Sequence, residues 1–358
     1  LKVVIKVGSQ AIISADGKVL ENVISDIIRQ IIALQEQGVQ AILVSSGAVA
    51  LGRIIAKKIA KRNYGNSIAD KQLLASLGQP RLMAIYAKIC ETYELMVAQL
   101  LLTKYDFQTK RSYTNLLRLL QKSISQPNIL TIINENDSVA VEELMFTDND
   151  ELSGIVAAQI GADKLLLLTS IDGVYDKNPE DPEAKLISVI NLGDKHIHTS
   201  GAKTILGRGG MSSKLGTARK MAGVGVMTHI ANIAEKDIIL RLVGSDENVG
   251  SRIIPERKKT GRKKFLAFGQ TAAVAKITIN DCLEKILIGG QNCISILPIG
   301  IIKFDGEFVK GDLIEIVDSQ NKKIGIGVAR YNAQKLAGYI GNKNKPAFIH
   351  YDYLHIDS

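Results

Sequence analysis

Residues 1–9 read L-K-V-V-I-K-V-G-S, a β-branched run from Val3 to Val7 interrupted by Lys6 and closing on Gly8. A strand buried on both faces has this continuous apolar texture, whereas a strand with one wet face alternates. The next segment, V-I-S-D-I-I-R-Q-I-I-A-L-Q-E-Q-G from Val23 to Gly38, spaces its apolar residues as a helix does and stops on a glycine. A second run, A-I-L-V-S-S-G from Ala41 to Gly47, restores the strand texture. The rhythm recurs at N-I-L-T-I-I-N, Asn128 to Asn134, and at K-L-L-L-L-T-S, Lys164 to Ser170. Alternating strands and helices predict an α/β fold whose mainly parallel sheet is sandwiched by helices. Ligands of such sheets bind beyond the strand C-termini, where Lys6-Val7-Gly8-Ser9 and Ser45-Ser46-Gly47-Ala48 stand.

The chain of 358 residues exceeds one typical domain, which predicts two. With 46% hydrophobic and 23% charged residues it reads as a soluble globule, and no run reaches the roughly 18 apolar residues of a spanning helix. The opening run is broken by lysines and lacks a small-residue cleavage site, so it reads as a buried strand rather than a signal peptide. Cys90, Cys282 and Cys293 are odd in number and have no metal-ligand spacing, which argues against a disulfide framework and a zinc site and suits a reducing cytoplasm. A formal net charge of +9 suits an anionic partner, either a nucleotide or a nucleic acid. The basic run P-E-R-K-K-T-G-R-K-K, Pro255 to Lys264, breaks the α/β rhythm, and short strands with glycine turns follow, among them K-G-D-L-I-E-I-V and K-I-G-I-G-V-A-R-Y. The expected organisation is an α/β domain over 1–256, a basic linker over 257–270 and a small β-rich, barrel-like domain over 271–358.

Three stretches carry chemistry. A glycine at each of the first two strand ends, Gly8 and Gly47, lets backbone N–H groups approach a phosphate, and a following helix N-terminus favours negative charge. The loop Leu206-Gly207-Arg208-Gly209-Gly210-Met211-Ser212-Ser213-Lys214 is glycine-rich and brings an ammonium to a helix start. From Asn134 to Ser153, N-E-N-D-S-V-A-V-E-E-L-M-F-T-D-N-D-E-L-S gathers acids and amides in a basic protein. Each has a plain structural alternative: a turn glycine, a solvated lysine, a surface loop, or a helix cap at Asp150. Neither the P-loop pattern nor a dinucleotide G-x-G-x-x-G follows the first strand.

Taken in order, V-V-I-K-V-G-S, V-S-S-G-A-V-A-L-G, K-Q-L-L-A-S-L-G-Q, A-Q-L-L-L-T, I-I-N-E-N-D, D-N-D-E-L-S, G-A-D-K-L-L-L-L-T and G-R-G-G-M-S-S-K resemble the amino-acid kinase superfamily, and within it the glutamate 5-kinase family. The C-terminal segments S-I-L-P-I-G-I, D-G-E-F-V-K-G-D and G-V-A-R-Y-N-A-Q-K-L resemble a PUA domain. The resemblance implies the amino-acid kinase fold and an ATP-dependent phosphorylation of the γ-carboxylate of L-glutamate, the first step of proline biosynthesis. It implies that Lys6 and Lys214 flank the transferring phosphoryl group and that Asp150 holds both ammonium groups. It assigns Ser46, Asp137 and Asn149 to glutamate, with Asn134 and Asp148 close by. Phosphate contacts fall on Gly8, Gly47 and the loop Arg208, Gly209, Gly210, Met211, Ser212, Ser213, Lys214, and the nucleotide also meets Thr169 and Ser170. Where the family often reads Thr-Asp this chain reads Thr169-Ser170, with an acid only at Asp172, and Arg208 replaces a small hydroxyl residue. Arg208 either clamps a phosphate or points outward, and the outward orientation is favoured.

ATP and Mg²⁺ are the expected cofactors, the ion bridging nucleotide phosphates. Proline feedback and a dimer or tetramer are family expectations, and the cytoplasm is expected from the cysteine usage. Two alternatives stay open: another kinase of the superfamily, acting on acetylglutamate, aspartate, carbamate or a nucleoside monophosphate, and an RNA-binding protein led by its C-terminal domain. The basic linker lacks the interleaved aromatics that stack bases, which weighs against the second.

Overall fold

The structure, a computed structural model, describes residues 1–14, 16–107, 110–140, 146, 148–192, 194, 210–244, 249–255, 273–288 and 294–356. The expected linker, most of the glycine-rich loop before Gly210, and residues 141–145 and 147 of the acidic stretch lie outside them. The chain divides into two compact units, one of Leu1–Thr103 and Leu119–Lys258, the other of Lys104–Arg118 and Lys259–Ser358.

The first unit is built on an eight-stranded sheet of β1 (Lys2–Val7), β2 (Gln40–Val44), β3 (Met96–Leu102), β4 (Ile129–Glu135), β5 (Lys164–Thr169), β6 (Val189–Asn191), β7 (Met227–Asn232) and β8 (Ser251–Ile254). Their spatial order is β3-β4-β2-β1-β5-β7-β8-β6. All neighbours run parallel except β7 and β8. Along the chain these strands are separated by helices α1 (Ser9–Ile12), α2 (Glu21–Glu36), α3 (Ala48–Ile59), α4 (Ile68–Glu91), α5 (Lys110–Ile124), α6 (Asn149–Ile160), α7 (Met211–Gly223) and α8 (Ile238–Gly244), α5 falling in the second unit up to Arg118.

Strand alternation decides which side chain meets which helix layer. Val3, Ile5 and Val7 enter one core with Ile24, Ile27 and Ile31 of α2, Leu82 and Tyr86 of α4, and Ile239 of α8. Lys6 therefore projects from the opposite face, the one α6 packs on. Helix α6 is buried along its length from Asp150 to Ile160, which explains a sequence without a polar stripe. Register then lines up the ends of the central strands. Lys6 sits opposite Val44 of β2 and Leu167 of β5, and Val44 opposite Ile133 of β4. Ser46 and Asn134, just beyond, share the edge that Lys6 approaches.

Helices α3 and α4 touch backbone to backbone. A Cβ on Gly52 would lie 1.8 Å from the Leu74 carbonyl oxygen, and one on Gly78 would lie 1.8 Å from that of Ala48. Only glycine permits this approach. It presses α4 onto the first turn of α3.

The second unit carries a five-stranded sheet of β9 (Ala275–Ile279), β10 (Ile301–Asp305), β11 (Leu313–Val317), β12 (Lys323–Val328) and β13 (Leu354–Ile356), ordered β10-β9-β11-β12-β13. Its own core joins Ile277, Ile279, Ile314, Ile316, Leu336 and Phe348. Phe308 and Tyr331 flank Phe348 at ring-centroid distances of 5.5 and 5.3 Å. Among the described residues no helix is long and apolar enough to cross a membrane.

Candidate active site

Asp150 lies in the first turn of α6, fully buried, and each of its carboxylate oxygens meets a lysine. Lys6 Nζ stands 2.6 Å from Oδ1 and Lys214 Nζ 3.0 Å from Oδ2. Exposures of 5% for Lys6, 0% for Asp150 and 7% for Lys214 make this a desolvated group of two cations on one anion. One positive charge is left over, which suits a site that receives phosphate. Burial works to raise the Asp150 pKa, and the charges of Lys6 and Lys214 more than offset it, so the carboxyl falls below its ordinary range.

The cap of α6 is Asp148, not Asp150. Asp148 Oδ1 accepts from the backbone N–H of Asp150 at 2.9 Å and of Glu151 at 3.0 Å. The plain alternative for Asp150, a helix cap, thus falls to its neighbour. In D-N-D either acid can cap, and the lysines claim the second. Burial pushes the Asp148 carboxyl up, the adjacent Asp150 charge adds to it, and a hydrogen bond from Ser213 offsets only part.

Helices α3 and α7 both begin at a glycine, with no side-chain cap and no acid in the first turn. Gly47 adopts φ 101°, a left-handed geometry open to glycine, and turns the chain from β2 into α3. Gly210 precedes Met211, Ser212 and Ser213, which form the first turn of α7, and Lys214 follows. Helix starts left uncapped in this way offer backbone N–H groups to an anion. Gly8 ends β1 beside Lys6, so that a Cβ there would stand 3.7 Å from its Nζ.

A chain of amides adjoins this group. Asn149 Nδ2 donates to Ser46 Oγ at 2.9 Å and to Asn134 Oδ1 at 3.0 Å. Asn134 Nδ2 donates in turn to Gln79 Oε1 at 2.8 Å. Asp137, half-buried, occupies the turn that leaves β4, where the Val139 and Ala140 N–H groups donate to the Asn136 carbonyl. Thr169 and Ser170 end β5 apart from the amides, half-buried and exposed respectively. There the Thr169 carbonyl accepts from Ile233 N–H at 2.9 Å. Asp172, the displaced acid, accepts from Asn232 Nδ2 at 2.8 Å and from the Tyr175 hydroxyl at 3.1 Å. Arg208 and Gly209 lie outside the described residues.

Two participants were not singled out from the sequence. Glu135, buried, accepts from the Phe146 N–H at 2.8 Å and ties the end of β4 to the segment entering α6. Gln79 is the other, and it left a signal. It sits on the buried stripe of α4 with Ala75, Leu82 and Tyr86, a polar side chain at an apolar position.

Such a site on such a sheet defines a phosphoryl-transfer protein. Residues 2–232 match the amino acid kinase family and residues 275–345 match the PUA domain. The chain belongs to the amino acid kinase family, in the branch of the glutamate 5-kinases. It is 36% identical to the glutamate 5-kinase of Bacteroides thetaiotaomicron over 99% of this chain and 98% of that one. It is 35% identical to that of Chlorobaculum tepidum over 99% and 97%. Two solved structures share the fold. The isopentenyl phosphate kinase of T. acidophilum has a TM-score of 0.50 at 15% identity, covering 71% of this chain and 100% of that one. The carbamate kinase of Giardia lamblia, bound to AMP-PNP, has a TM-score of 0.50 at 17% identity, covering 71% and 98%.

Proposed function

We propose that the protein transfers the γ-phosphoryl group of ATP to the γ-carboxylate of L-glutamate, giving L-glutamyl 5-phosphate and ADP, the first step of proline biosynthesis. The observation that carries this reading is the buried Lys6–Asp150–Lys214 group beside the Ser46–Asn149–Asn134 amides. A glutamate side chain, with a pKa of about 4.3, is already ionised at neutral pH, so the nucleophile needs no general base. What the reaction needs is alignment and positive charge. Lys6 and Lys214 supply that charge from the two sides of the transferring group, and Asp150 keeps both ammonium groups in place.

The acceptor's α-ammonium would be repelled by these lysines. Ser46, Asn134, Asp137 and Asn149 hold it at a distance, and Asp148 serves them by fixing the start of α6. Gly8, Gly47 and the turn from Gly210 to Ser213 receive phosphates, while Thr169 and Ser170 meet the rest of the nucleotide; Gly209 and Arg208, next in sequence, are further phosphate candidates on the resemblance alone. Both oxygens of Asp150 are occupied by lysines. With those oxygens taken, Asp150 is not offered to a metal, and Mg²⁺ would be held by nucleotide phosphates and water, where it would neutralise phosphate charge. Feedback by proline, a homo-oligomeric state and a cytoplasmic location belong to the same reading, supported by the likeness to glutamate 5-kinases.

Trapping the acyl phosphate with hydroxylamine tests the substrate. Glutamate should outperform aspartate and N-acetylglutamate in kcat/KM, and preference for either of the others would overturn the assignment.

A further inference from the structure

The amide chain has a polarity that a single backbone group imposes. The Glu135 N–H can only donate, so the Asn134 atom 3.0 Å from it is the carbonyl oxygen Oδ1. Asn134 Nδ2 then points to Gln79, whose contacting atom must be the acceptor Oε1. The Asn149 atom that meets Asn134 Oδ1 must be its nitrogen, and that nitrogen also serves Ser46 Oγ. The outcome is that, among the described residues, Asn149 Oδ1 is buried with no hydrogen-bond partner. Gln79 Nε2, at the other end of the chain, is left in the same state.

Buried polar atoms without partners are uncommon, and an orphaned carbonyl oxygen on an acceptor-site residue fits a ligand's ammonium group. We propose that Gln79 is a positioning residue for the amino-acid acceptor: it clamps Asn134, and through Asn134 it keeps Asn149 turned so that Oδ1 is presented to the acceptor's ammonium. The inference rests on the assignment of Asn149 to the acceptor site. Asn134 is held at Oδ1 by Glu135 and at Nδ2 by Gln79. Without the second clamp its Nδ2 is a buried donor lacking an acceptor, and the side chain rotates in search of one. Exposures of 7% for Gln79 and 1% for Asn134 leave little room for water to substitute. The Gly52–Gly78 crossing fixes the backbone one residue before Gln79, so the clamp stands on a rigid support.

Gln79→Met keeps the length and removes the acceptor oxygen. It should raise the glutamate KM about tenfold, with kcat and the ATP KM changed by less than about threefold. Gln79→Glu retains an oxygen for Asn134 and should return the glutamate KM to within about threefold of the parent. Gln79→Leu reads the same parameters should the Met variant fold poorly. An unchanged glutamate KM in the variants lacking the oxygen, a parallel loss for both substrates, or a Glu variant as impaired as the Met variant would each overturn the role of Gln79. Absence of glutamyl phosphate from the unaltered protein would instead refute the substrate assignment.

Discussion

A lysine buried at 5% exposure is costly unless paired, and Lys6 and Lys214 share one carboxylate between them. Both ammonium groups gain most when charge spreads over the phosphoryl oxygens, so their loss falls on the transition state more than on binding. Lys6→Ala and Lys214→Ala should each lower kcat at least about tenfold, with the glutamate KM little changed in steady-state assays. Asp150 also sets a pH dependence. Its folded pKa is depressed, so its stabilisation is full above the ordinary value of 3.8 and is lost as pH falls below it toward the folded value. Asp150→Asn leaves two buried ammonium groups without a counter-charge, at a cost of about 3–5 kcal/mol near neutrality. The difference in melting temperature between the parent and this variant should narrow below pH 3.8. A difference constant from neutral to acid pH would show that the charge of Asp150 does not stabilise the fold.

At the level of elements, the site is assembled by starts of helices and ends of strands. Parity on β1 sends Lys6 to the α6 face, the Asp148 cap brings the start of α6 to it, and the left-handed Gly47 starts α3 beside Ser46. The α3–α4 crossing supports the acceptor side. Gly78→Ala would place a Cβ 1.8 Å from the Ala48 carbonyl oxygen and 2.6 Å from the Gly52 nitrogen. Backbone must then move, at a cost of about 1–3 kcal/mol. Thermal unfolding should register that loss, and the glutamate KM should rise because Ala48 begins two residues after Ser46. A variant with an unshifted midpoint would mean that the two helices have slack.

On the scale of the whole molecule, the residues assigned to phosphoryl transfer and acceptor binding belong to the first unit, while the five-stranded sheet has a separate core. A chain ending at Pro255 should therefore still form glutamyl phosphate, with kcat within about tenfold of the full chain, an effect smaller than removal of a site lysine. Its melting temperature should fall, because Lys104–Arg118 belongs to the second unit and loses that unit's remainder. A soluble, folded truncation without activity would show that the second unit contributes to the site.

The strand texture of β1, β2, β4 and β5 and the helical spacing of α2 were legible in the sequence, because apolar period is a local property of any window, whereas β3, β6, β7, β8 and the antiparallel β7–β8 pair were not read. Equally legible were the glycines at strand ends and the lysine that closes the glycine-rich loop. The resemblance of consecutive motifs supplied the pairing of Lys6 and Lys214, which local pattern could not. Packing alone decided that Asp148 caps while Asp150 binds the lysines, that Gly52 meets Gly78, and that Gln79 reaches Asn134 from 55 residues away. Those outcomes depend on sheet order, register and helix contact, and a linear chain holds no local trace of which distant side chain will occupy the space beside it.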